Sequence, residues 1–390
     1  MQSSPPKAHA PKPRTITPPS TAAIRACFTG KTPPNWWRRS SGMAVSRIPR
    51  IPQGLPGPPT DRITDSMDTT PRPLGRSGLH IPPLGLGCWP LAGMTREGIT
   101  RDVAIATVAA ALDAGILHLD TAYCYGEAGE SERAIGTAIR DRRRDELFIA
   151  GKCGIHWEPG RKQRIDGRPE RIRREVEESL GRLGTDHLDL LYLHAPDPGV
   201  NLEVSMAELE RLRSEGLARA VGVSNVSLDQ LAIAAEACSL SACQLPYNML
   251  QREIESDIVP WCHVHGVAIV AYWPLMKGLL AGGIARDRTF PVTDSRHKYP
   301  MFNGAEFHRN LDFVDVVRQE AERLQRPLAE LVLAWTVEQP GITSVLFGAT
   351  SPEQVGVNAA ARFCELDPQA RRAIAEGISA RGPIIGRRPV

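Results

Sequence analysis

Four polar residues that could carry acid–base chemistry together stand at, or just after, the ends of short apolar runs. Asp120, Lys152 and His194 each end one such run, and Tyr125 lies five residues after Asp120. A carboxylate, an ammonium, an imidazole and a phenol are groups that protein sites use to hold and transfer protons. Each alone has an ordinary explanation, as a helix cap, a strand-end lysine, a rim histidine or a loop aromatic. If the runs are successive strands of one sheet, however, the four side chains converge on one mouth.

The apolar runs belong to an alternation of strand-like and amphipathic helical segments that begins at residue 71. The strand-like runs lie at 83–87, 116–120, 147–152, 188–194, 218–225, 241–248, 267–272 and 343–348. This alternation predicts repeated βα units with a parallel sheet, and eight units close a TIM (β/α)8 barrel. A turn at 76–78 predicts an N-terminal β-hairpin before the first barrel strand. Active sites of such barrels lie at the C-terminal ends of the strands, where the four polar residues stand.

A doubly wound nucleotide-binding sheet is the main alternative for an α/β chain of this length. That fold predicts the pattern G-x-G-x-x-G directly after an early strand. The run 84–87 reads LGLG and lacks the third glycine, and Pro90 discourages an immediate helix after it. The barrel therefore remains the predicted fold.

The chain is predicted to divide into a disordered extension, residues 1–70, and a barrel domain, residues 71–390. Residues 1–60 contain 13 prolines, nine lysines or arginines and no acidic residue. Such a segment cannot repay the entropy of ordering. The sequence from Met67 onward reads like a natural protein start, which favours an over-extended gene start upstream. A transit peptide also fits the arginines, although the prolines would break the amphipathic helix that it needs.

Composition argues against several other classes of protein. Residues 61–390 carry a net charge of −6, so a nucleic-acid surface is not expected. No apolar run approaches the ~20 residues needed to cross a bilayer. The eight cysteines form no C-x-x-C pair, which predicts reduced thiols and no metal site. We therefore expect a cytoplasmic protein without membrane or nucleic-acid partners, and the sequence indicates no particular oligomeric state.

Several motifs in collinear order resemble those of the aldo-keto reductases, a family of barrel oxidoreductases. The four polar residues lie in HLDTAYCYG (118–126), IAGKCG (149–154) and DLLYLHAPDP (189–198). Further matches are GVSN (222–225), QLPYN (244–248), AYWPLMKGLL (271–280) and FGATSPEQVGVN (347–358). The resemblance covers residues 71 to about 360. It implies an NAD(P)H-dependent enzyme that transfers hydride between the nicotinamide cofactor and a small-molecule aldehyde or ketone, or the corresponding alcohol.

The same resemblance implies a role for each of the four residues. Tyr125 would give a proton to the carbonyl oxygen, and Lys152 would lower the pKa of this phenol from about 10 toward working pH. Asp120 would keep Lys152 charged and oriented. His194 would hydrogen-bond the carbonyl oxygen and fix its approach. In the oxidative direction the tyrosine would act as the base.

Cofactor contacts are carried over from the resemblance as well. They are expected at Ser224, Asn225, Gln244, Tyr272, Trp273, Leu275, Arg296, Gly348, Ser351, Gln354 and Asn358. The first three would bond the nicotinamide carboxamide, and Tyr272 would stack under the ring. Trp273 replaces the usual serine at the pyrophosphate, which leaves that contact to backbone amides. Gly348 and Gln354 stand where relatives that use NADPH often place a basic residue, so Arg296 is the remaining candidate for the 2′-phosphate. NADP(H) is favoured slightly over NAD(H).

Two other functions fit parts of the pattern. Some relatives of the family serve as channel subunits, so a nucleotide-binding auxiliary or sensor protein with little turnover stays open. A barrel aldolase that uses Lys152 for Schiff-base chemistry is a second alternative, which the motif order disfavours. Substrate choice should reside in the variable loops 276–310 and 155–169 and in the chain after Phe363. Candidate residues of an apolar mouth are Trp89, Trp157 and Phe302.

Overall fold

Eight parallel strands form the closed barrel that the alternation predicts. The structure is a computed structural model that describes residues 69–93, 98–291 and 294–384. In chain order its strands are β1 (Arg72–Pro73), β2 (His80–Ile81), β3 (Leu84–Gly87), β4 (His118–Asp120), β5 (Phe148–Cys153), β6 (Ile155–Glu158), β7 (Lys162–Ile165), β8 (Leu188–Leu193), β9 (Ala218–Ser224), β10 (Leu240–Pro246), β11 (Ala268–Tyr272) and β12 (Ser344–Gly348). The barrel runs β3, β4, β5, β8, β9, β10, β11, β12, and β12 pairs with β3 to close it. The predicted TIM (β/α)8 fold is confirmed, with every barrel strand end within two residues of the one expected.

Helices follow the barrel strands on the outside of the sheet. They are α1 (Arg101–Asp113), α2 (Glu130–Ala138), α3 (Pro169–Leu183), α4 (Leu202–Ser214), α5 (Leu228–Ala237), α6 (Ile258–His265), α7 (Gly304–Arg323), α8 (Leu328–Glu338), α9 (Pro352–Ala359) and α10 (Pro368–Arg381). Helix α3 shows why the sequence folds this way. It begins with a proline, whose missing N–H costs nothing there, and it ends at Gly184, whose left-handed φ of 68° lets its N–H bond the Leu180 carbonyl. Ile172 and Val176 on its inner face are buried, as their spacing predicts.

The N-terminal hairpin packs into the same core as the inward side chains of the barrel. Strands β1 and β2 pair antiparallel, which confirms the predicted hairpin. Leu74 and Ile81 of the hairpin are fully buried against inward residues such as Phe148 and Leu190. Arg72 donates hydrogen bonds to the carbonyls of Val337 and Ile342 at 3.1 and 2.9 Å, which ties the hairpin to the β12 side of the barrel.

Two loops are more ordered than the sequence suggests. The segment predicted as a loop over 155–169 contains the antiparallel pair β6 and β7, and α3 begins at its last residue. Its turn uses Gly160 and Arg161, both with left-handed φ. Each of the two strands is only four residues long, so the alternation gives little signal. The loop predicted over 276–310 contains three short 3-10 turns and ends earlier, where α7 begins.

The extension predicted for residues 1–70, with its proposed start at Met67, lies outside the described residues except for Thr69 and Thr70. Among the described residues no helix has both the length and the apolar character to cross a membrane.

Candidate active site

The barrel brings the four predicted catalytic residues together at the C-terminal ends of neighbouring strands. Asp120 is the last residue of β4, Lys152 is the last but one of β5, and His194 directly follows β8. Tyr125 lies in the loop after β4. Strands β4, β5 and β8 are adjacent in the barrel, so side chains on their ends share one mouth.

Lys152 is the centre of the cluster. Its Nζ forms an ion pair with the Asp120 carboxylate and donates to the Thr121 carbonyl at 3.0 Å and to the Tyr125 hydroxyl at 3.2 Å. The lysine and aspartate side chains are 1% and 3% exposed. An ammonium has three N–H donors, and these acceptors use all of them. A nitrogen engaged by three partners in a buried ion pair is poorly available as a nucleophile, which argues against Schiff-base chemistry at this lysine.

Gln244 contributes to the same cluster from β10. Its Nε2 donates to the second oxygen of Asp120 at 2.8 Å. Burial raises the pKa of Asp120, while the contacts from Lys152 and Gln244 act in the opposite direction. The sequence assigned Gln244 to the cofactor alone. Its contact with Asp120 joins residues 124 positions apart, and only the closure of the barrel brings them together.

Tyr125 differs from the expectation in its acidity. The residue is 8% exposed. Burial, followed by the charge of Asp120, raises the pKa of this phenol well above its ordinary value. The prediction that Lys152 would bring the pKa down toward working pH is therefore wrong for the cofactor-free protein, because burial and the Asp120 carboxylate both raise it. The consequence is a phenol that stays protonated near neutral pH.

His194 faces the tyrosine across the mouth. The two rings lie edge to face, with centroids 5.7 Å apart. Burial and the nearby charge of Lys152 lower the pKa of His194 to about 3, so the imidazole is neutral. Its Nδ1 lies 3.5 Å from the Cys124 Sγ. Its backbone carbonyl accepts a hydrogen bond from the Asn225 side chain at 2.9 Å.

Two tryptophans form an apolar wall beside Tyr125. Trp89 packs edge to face on Tyr125, with ring centroids 5.1 Å apart. Trp157, on β6, donates its Nε1–H to the Cys124 carbonyl at 2.9 Å. Both tryptophans are half-buried against the cluster that contains Tyr125. Phe302, the third residue predicted at the mouth, is 2% exposed and packs on Phe290 as part of the outer core.

The residues predicted to bond the carboxamide or to stack under the ring lie together beside the cluster, on or directly after β9, β10 and β11. Ser224 donates its hydroxyl to the Gln244 carbonyl at 2.9 Å, and Asn225 donates to the Ser224 oxygen at 3.1 Å. Tyr272 donates its phenol to the Asn225 Oδ1 at 2.8 Å. The structure thus links these four residues in one hydrogen-bonded group next to Asp120.

Directly after β11 the backbone takes an unusual course. Trp273, Met276 and Lys277 all have left-handed φ angles, between 46° and 62°. Non-glycine residues in this region carry strain, and such strain concentrates at ligand-binding sites. The Trp273 ring packs edge to face on Tyr272 and on Tyr299. Leu275 accepts a turn bond from the amide of Gly278. The indole is engaged in packing, and a pyrophosphate contact from the backbone at this point stays a prediction.

The last strand and helix supply the remaining predicted cofactor residues. Ser351 caps α9 by accepting from the Gln354 amide, and Asn358 donates to the Gly348 carbonyl at 3.2 Å. Gly348 is exposed, and a Cβ there would lie 2.9 Å from the Pro90 side chain. The open backbone at Gly348 and the start of α9 suit the phosphate end of a dinucleotide.

Arg296 lies in the loop before α7 and already has a carboxylate partner. Its guanidinium makes a two-pronged pair with Asp294, with contacts of 2.6 and 3.0 Å, and it lies over the Phe290 ring. The residues at the mouth therefore fit a nicotinamide cofactor through amides, an aromatic ring and a helix start. Among the residues predicted to contact the cofactor only Arg296 is a cation, and the Asp294 carboxylate balances its charge.

Comparisons with known proteins agree with this geometry. The family model described as Aldo/keto reductase family matches residues 83–378. An aldo-keto reductase of Bacillus subtilis (strain 168) is 35% identical over 72% of this chain and 84% of its own length. An NADH-specific methylglyoxal reductase of Escherichia coli (strain K12) is 32% identical over 78% of this chain and 98% of its own length.

Solved structures give the same result. A glycerol dehydrogenase from Gluconobacter oxydans superposes with a TM-score of 0.74 at 34% identity, covering 81% of this chain and 96% of that one. A holo aldo-keto reductase from Bacillus halodurans superposes with a TM-score of 0.65 at 27% identity, covering 79% and 96%. Motifs, barrel and relatives lead to one conclusion, that this chain belongs to the aldo/keto reductase family and is an NAD(P)H-dependent oxidoreductase.

Proposed function

We propose that the chain reduces small aldehydes or ketones at the mouth formed by Asp120, Tyr125, Lys152 and His194, with Tyr125 as the proton donor. The observation that carries the proposal is the bond from the buried Lys152 ammonium to the Tyr125 hydroxyl at 3.2 Å, with Asp120 behind the lysine. A nicotinamide cofactor, when bound, would supply hydride to the carbonyl carbon. The chain's own task is to orient the carbonyl and to deliver a proton to its oxygen.

Tyr125 suits that task because burial keeps it protonated until it is needed. When the carbonyl oxygen gains negative charge, the O–H bond of the phenol breaks and the proton moves to that oxygen. A phenolate then remains beside the Lys152 ammonium, whose charge stabilises it. In the oxidative direction the same phenolate takes a proton from the alcohol.

His194 orients the substrate in this proposal. A neutral imidazole can donate one hydrogen bond to the carbonyl oxygen without competing as an acid, because its pKa is about 3. The edge-to-face packing of its ring on Tyr125 places both groups at the same mouth. Trp89 and Trp157 provide the apolar surroundings that strengthen these polar contacts.

We assign the nicotinamide end of the cofactor to Ser224, Asn225, Gln244 and Tyr272. The phosphate end falls to the backbone around Trp273 and Leu275 and to Gly348, Ser351, Gln354 and Asn358 at the start of α9. Support comes from the shared position of these residues at one end of the barrel and from the side-chain amides in the group.

For the choice between cofactors, we propose a small preference for NADPH that depends on Arg296. Asp294 already balances the Arg296 charge, so the gain from a 2′-phosphate is limited. NADH remains the alternative cofactor, because one relative is named an NADH-specific methylglyoxal reductase. Arg296→Ala should weaken NADPH binding by less than about tenfold and leave NADH binding unchanged. Fluorescence titration of both cofactors measures this, and equal loss for both would remove Arg296 from the 2′-phosphate site.

The decisive experiment on the reaction compares Tyr125→Phe with Tyr123→Phe. The first variant removes only the proposed proton donor. The second removes a hydroxyl two residues away that donates to Glu178 at 2.7 Å, outside the catalytic cluster. Stopped-flow oxidation of bound NADPH should be followed with methylglyoxal and other aldehydes. Tyr125→Phe should slow the single turnover by about 100-fold or more, whereas Tyr123→Phe should stay near wild type.

Cofactor binding by Tyr125→Phe should remain within a factor of about two, since no binding contact is removed. Retention of more than a tenth of the wild-type rate by Tyr125→Phe would reject the tyrosine as donor. A wild-type protein that binds the cofactor, but does not oxidise it when any of the carbonyl compounds is added, would instead support the auxiliary or sensor function.

A further inference from the structure

The residue before the proposed proton donor contacts the other side of the active-site histidine. Cys124 is 1% exposed, and its Sγ lies 3.5 Å from the Nδ1 of His194. Its position is fixed from behind, because Trp157 donates to its backbone carbonyl at 2.9 Å. The mechanism proposed for the four catalytic residues gives this thiol no role.

Both partners of this contact are neutral. Burial raises the pKa of the Cys124 thiol above its ordinary value, so it keeps its hydrogen. The imidazole of His194 is uncharged near neutral pH for the reason given above. A neutral imidazole carries one hydrogen, on either Nδ1 or Nε2, and the other nitrogen is an acceptor.

Two arrangements of hydrogens satisfy the contact between Sγ and Nδ1. If the thiol donates to Nδ1, the imidazole hydrogen must sit on Nε2. If Nδ1 donates to sulfur, Nε2 becomes an acceptor and repels a carbonyl oxygen. Only the first arrangement leaves His194 with a donor for substrate, and a neutral S–H is a donor as well as a weak acceptor.

We propose that Cys124 is a positioning residue whose S–H donates to Nδ1 of His194 and so holds the imidazole in the tautomer that carries hydrogen on Nε2. The tautomer itself is independent of turnover. Its consequence for rate rests on the proposed function, in which Nε2–H orients the carbonyl oxygen.

The first test is nuclear magnetic resonance of the full chain labelled with 15N in its histidine rings. Long-range 1H–15N correlations distinguish the two tautomers, and His194→Gln identifies the His194 signals by their loss. Wild type should show His194 with hydrogen on Nε2. Cys124→Ala should shift part of the population to hydrogen on Nδ1, and Cys124→Ser, which keeps a donor, should restore the wild-type pattern.

The second test uses the same variants in single-turnover assays. Cys124→Ala should lower the rate about three- to tenfold, in keeping with the loss of one neutral hydrogen bond, while cofactor affinity is unchanged. Cys124→Ser should recover most of that rate. Cys153→Ala is the matched control, because Cys153 is equally buried but its thiol bonds the Tyr192 carbonyl. It should change neither the tautomer nor the rate.

A His194 that carries hydrogen on Nδ1 in wild type, or that keeps the same tautomer in Cys124→Ala, would overturn the proposal. These outcomes are separable from failure of the proposed function. Wild type without turnover but with the tautomer response would refute the function alone. Normal turnover without that response would refute the role of Cys124 alone.

Discussion

Replacing His118 with asparagine should remove part of the acid sensitivity of the fold. His118 begins β4, is fully buried, and its Nδ1 lies 3.2 Å from the Ser344 Oγ. The Ser344 hydroxyl donates its hydrogen to the Pro82 carbonyl at 2.7 Å. The Nδ1 of His118 must therefore be the donor in its contact with the Ser344 Oγ. Its Nε2 is then a buried acceptor that has no partner among the described residues. Burial and the charge of Lys152 lower the pKa of His118 to about 3.

The size of the effect follows from proton linkage. An unfolded histidine titrates near 6.5, so between pH 6.5 and 3 the unfolded chain binds a proton that the native chain refuses. The unfolding free energy is therefore not reduced by His118 above pH 6.5, and it falls as the pH drops below that value. At pH 5 the loss from this one residue is about 2 kcal/mol relative to pH 8. His194 has the same depressed pKa and contributes separately, so wild type and variant must be compared directly.

Urea unfolding followed by tryptophan fluorescence at pH 8 and pH 5 measures this difference. The wild type should lose about 2 kcal/mol more unfolding free energy between the two pH values than His118→Asn, whose amide can still donate to Ser344. The variant's stability at pH 8 is immaterial, because only its change with pH is compared. The exposed His263 gives the control, and His263→Asn should keep the wild-type pH dependence. An unchanged pH dependence in His118→Asn would refute the argument from burial.

Two further predictions concern the barrel interior. Asp120→Asn should lower the unfolding free energy by about 3–5 kcal/mol, because it leaves the buried Lys152 ammonium without a counter-charge, and the double variant Asp120→Leu, Lys152→Met should recover most of that loss. Urea titration decides this, and a double variant no more stable than the single one would contradict it. Gly222→Ala should cost about 1–3 kcal/mol, since its Cβ would lie 2.6 Å from the Tyr192 ring, whereas Gly283→Ala, which meets nothing within 4 Å, should melt like the wild type. Equal melting temperatures for the two glycine variants would contradict the expected clash with the ring and with the Ala242 carbonyl oxygen, which would lie 2.8 Å from the added Cβ.

Strand positions could be predicted because they depend on local pattern. Each barrel strand is a short apolar run between polar segments, and this pattern needs no knowledge of the partner strand. Asp120, Lys152 and His194 stood out for the same reason, as polar residues at apolar strand ends. The hairpin of β6 and β7 was not predicted, because its strands are short and, apart from Ile155 and His156, only partly buried or exposed. Its value for the site lies in Trp157, whose contact with the Cys124 carbonyl only the folded chain shows.

By itself, the sequence determined the barrel, the hairpin at its start and the types of residue at the mouth. The tertiary structure decided how those residues act on one another. Gln244 reaches Asp120 only after the barrel closes, and Cys124 reaches His194 only once β4 and β8 converge. The acidity of Tyr125 was mispredicted because a neighbouring cation can be inferred from motif order, whereas desolvation is a property of the packed whole. Residue types are local information, but burial and long-range contact exist only in three dimensions.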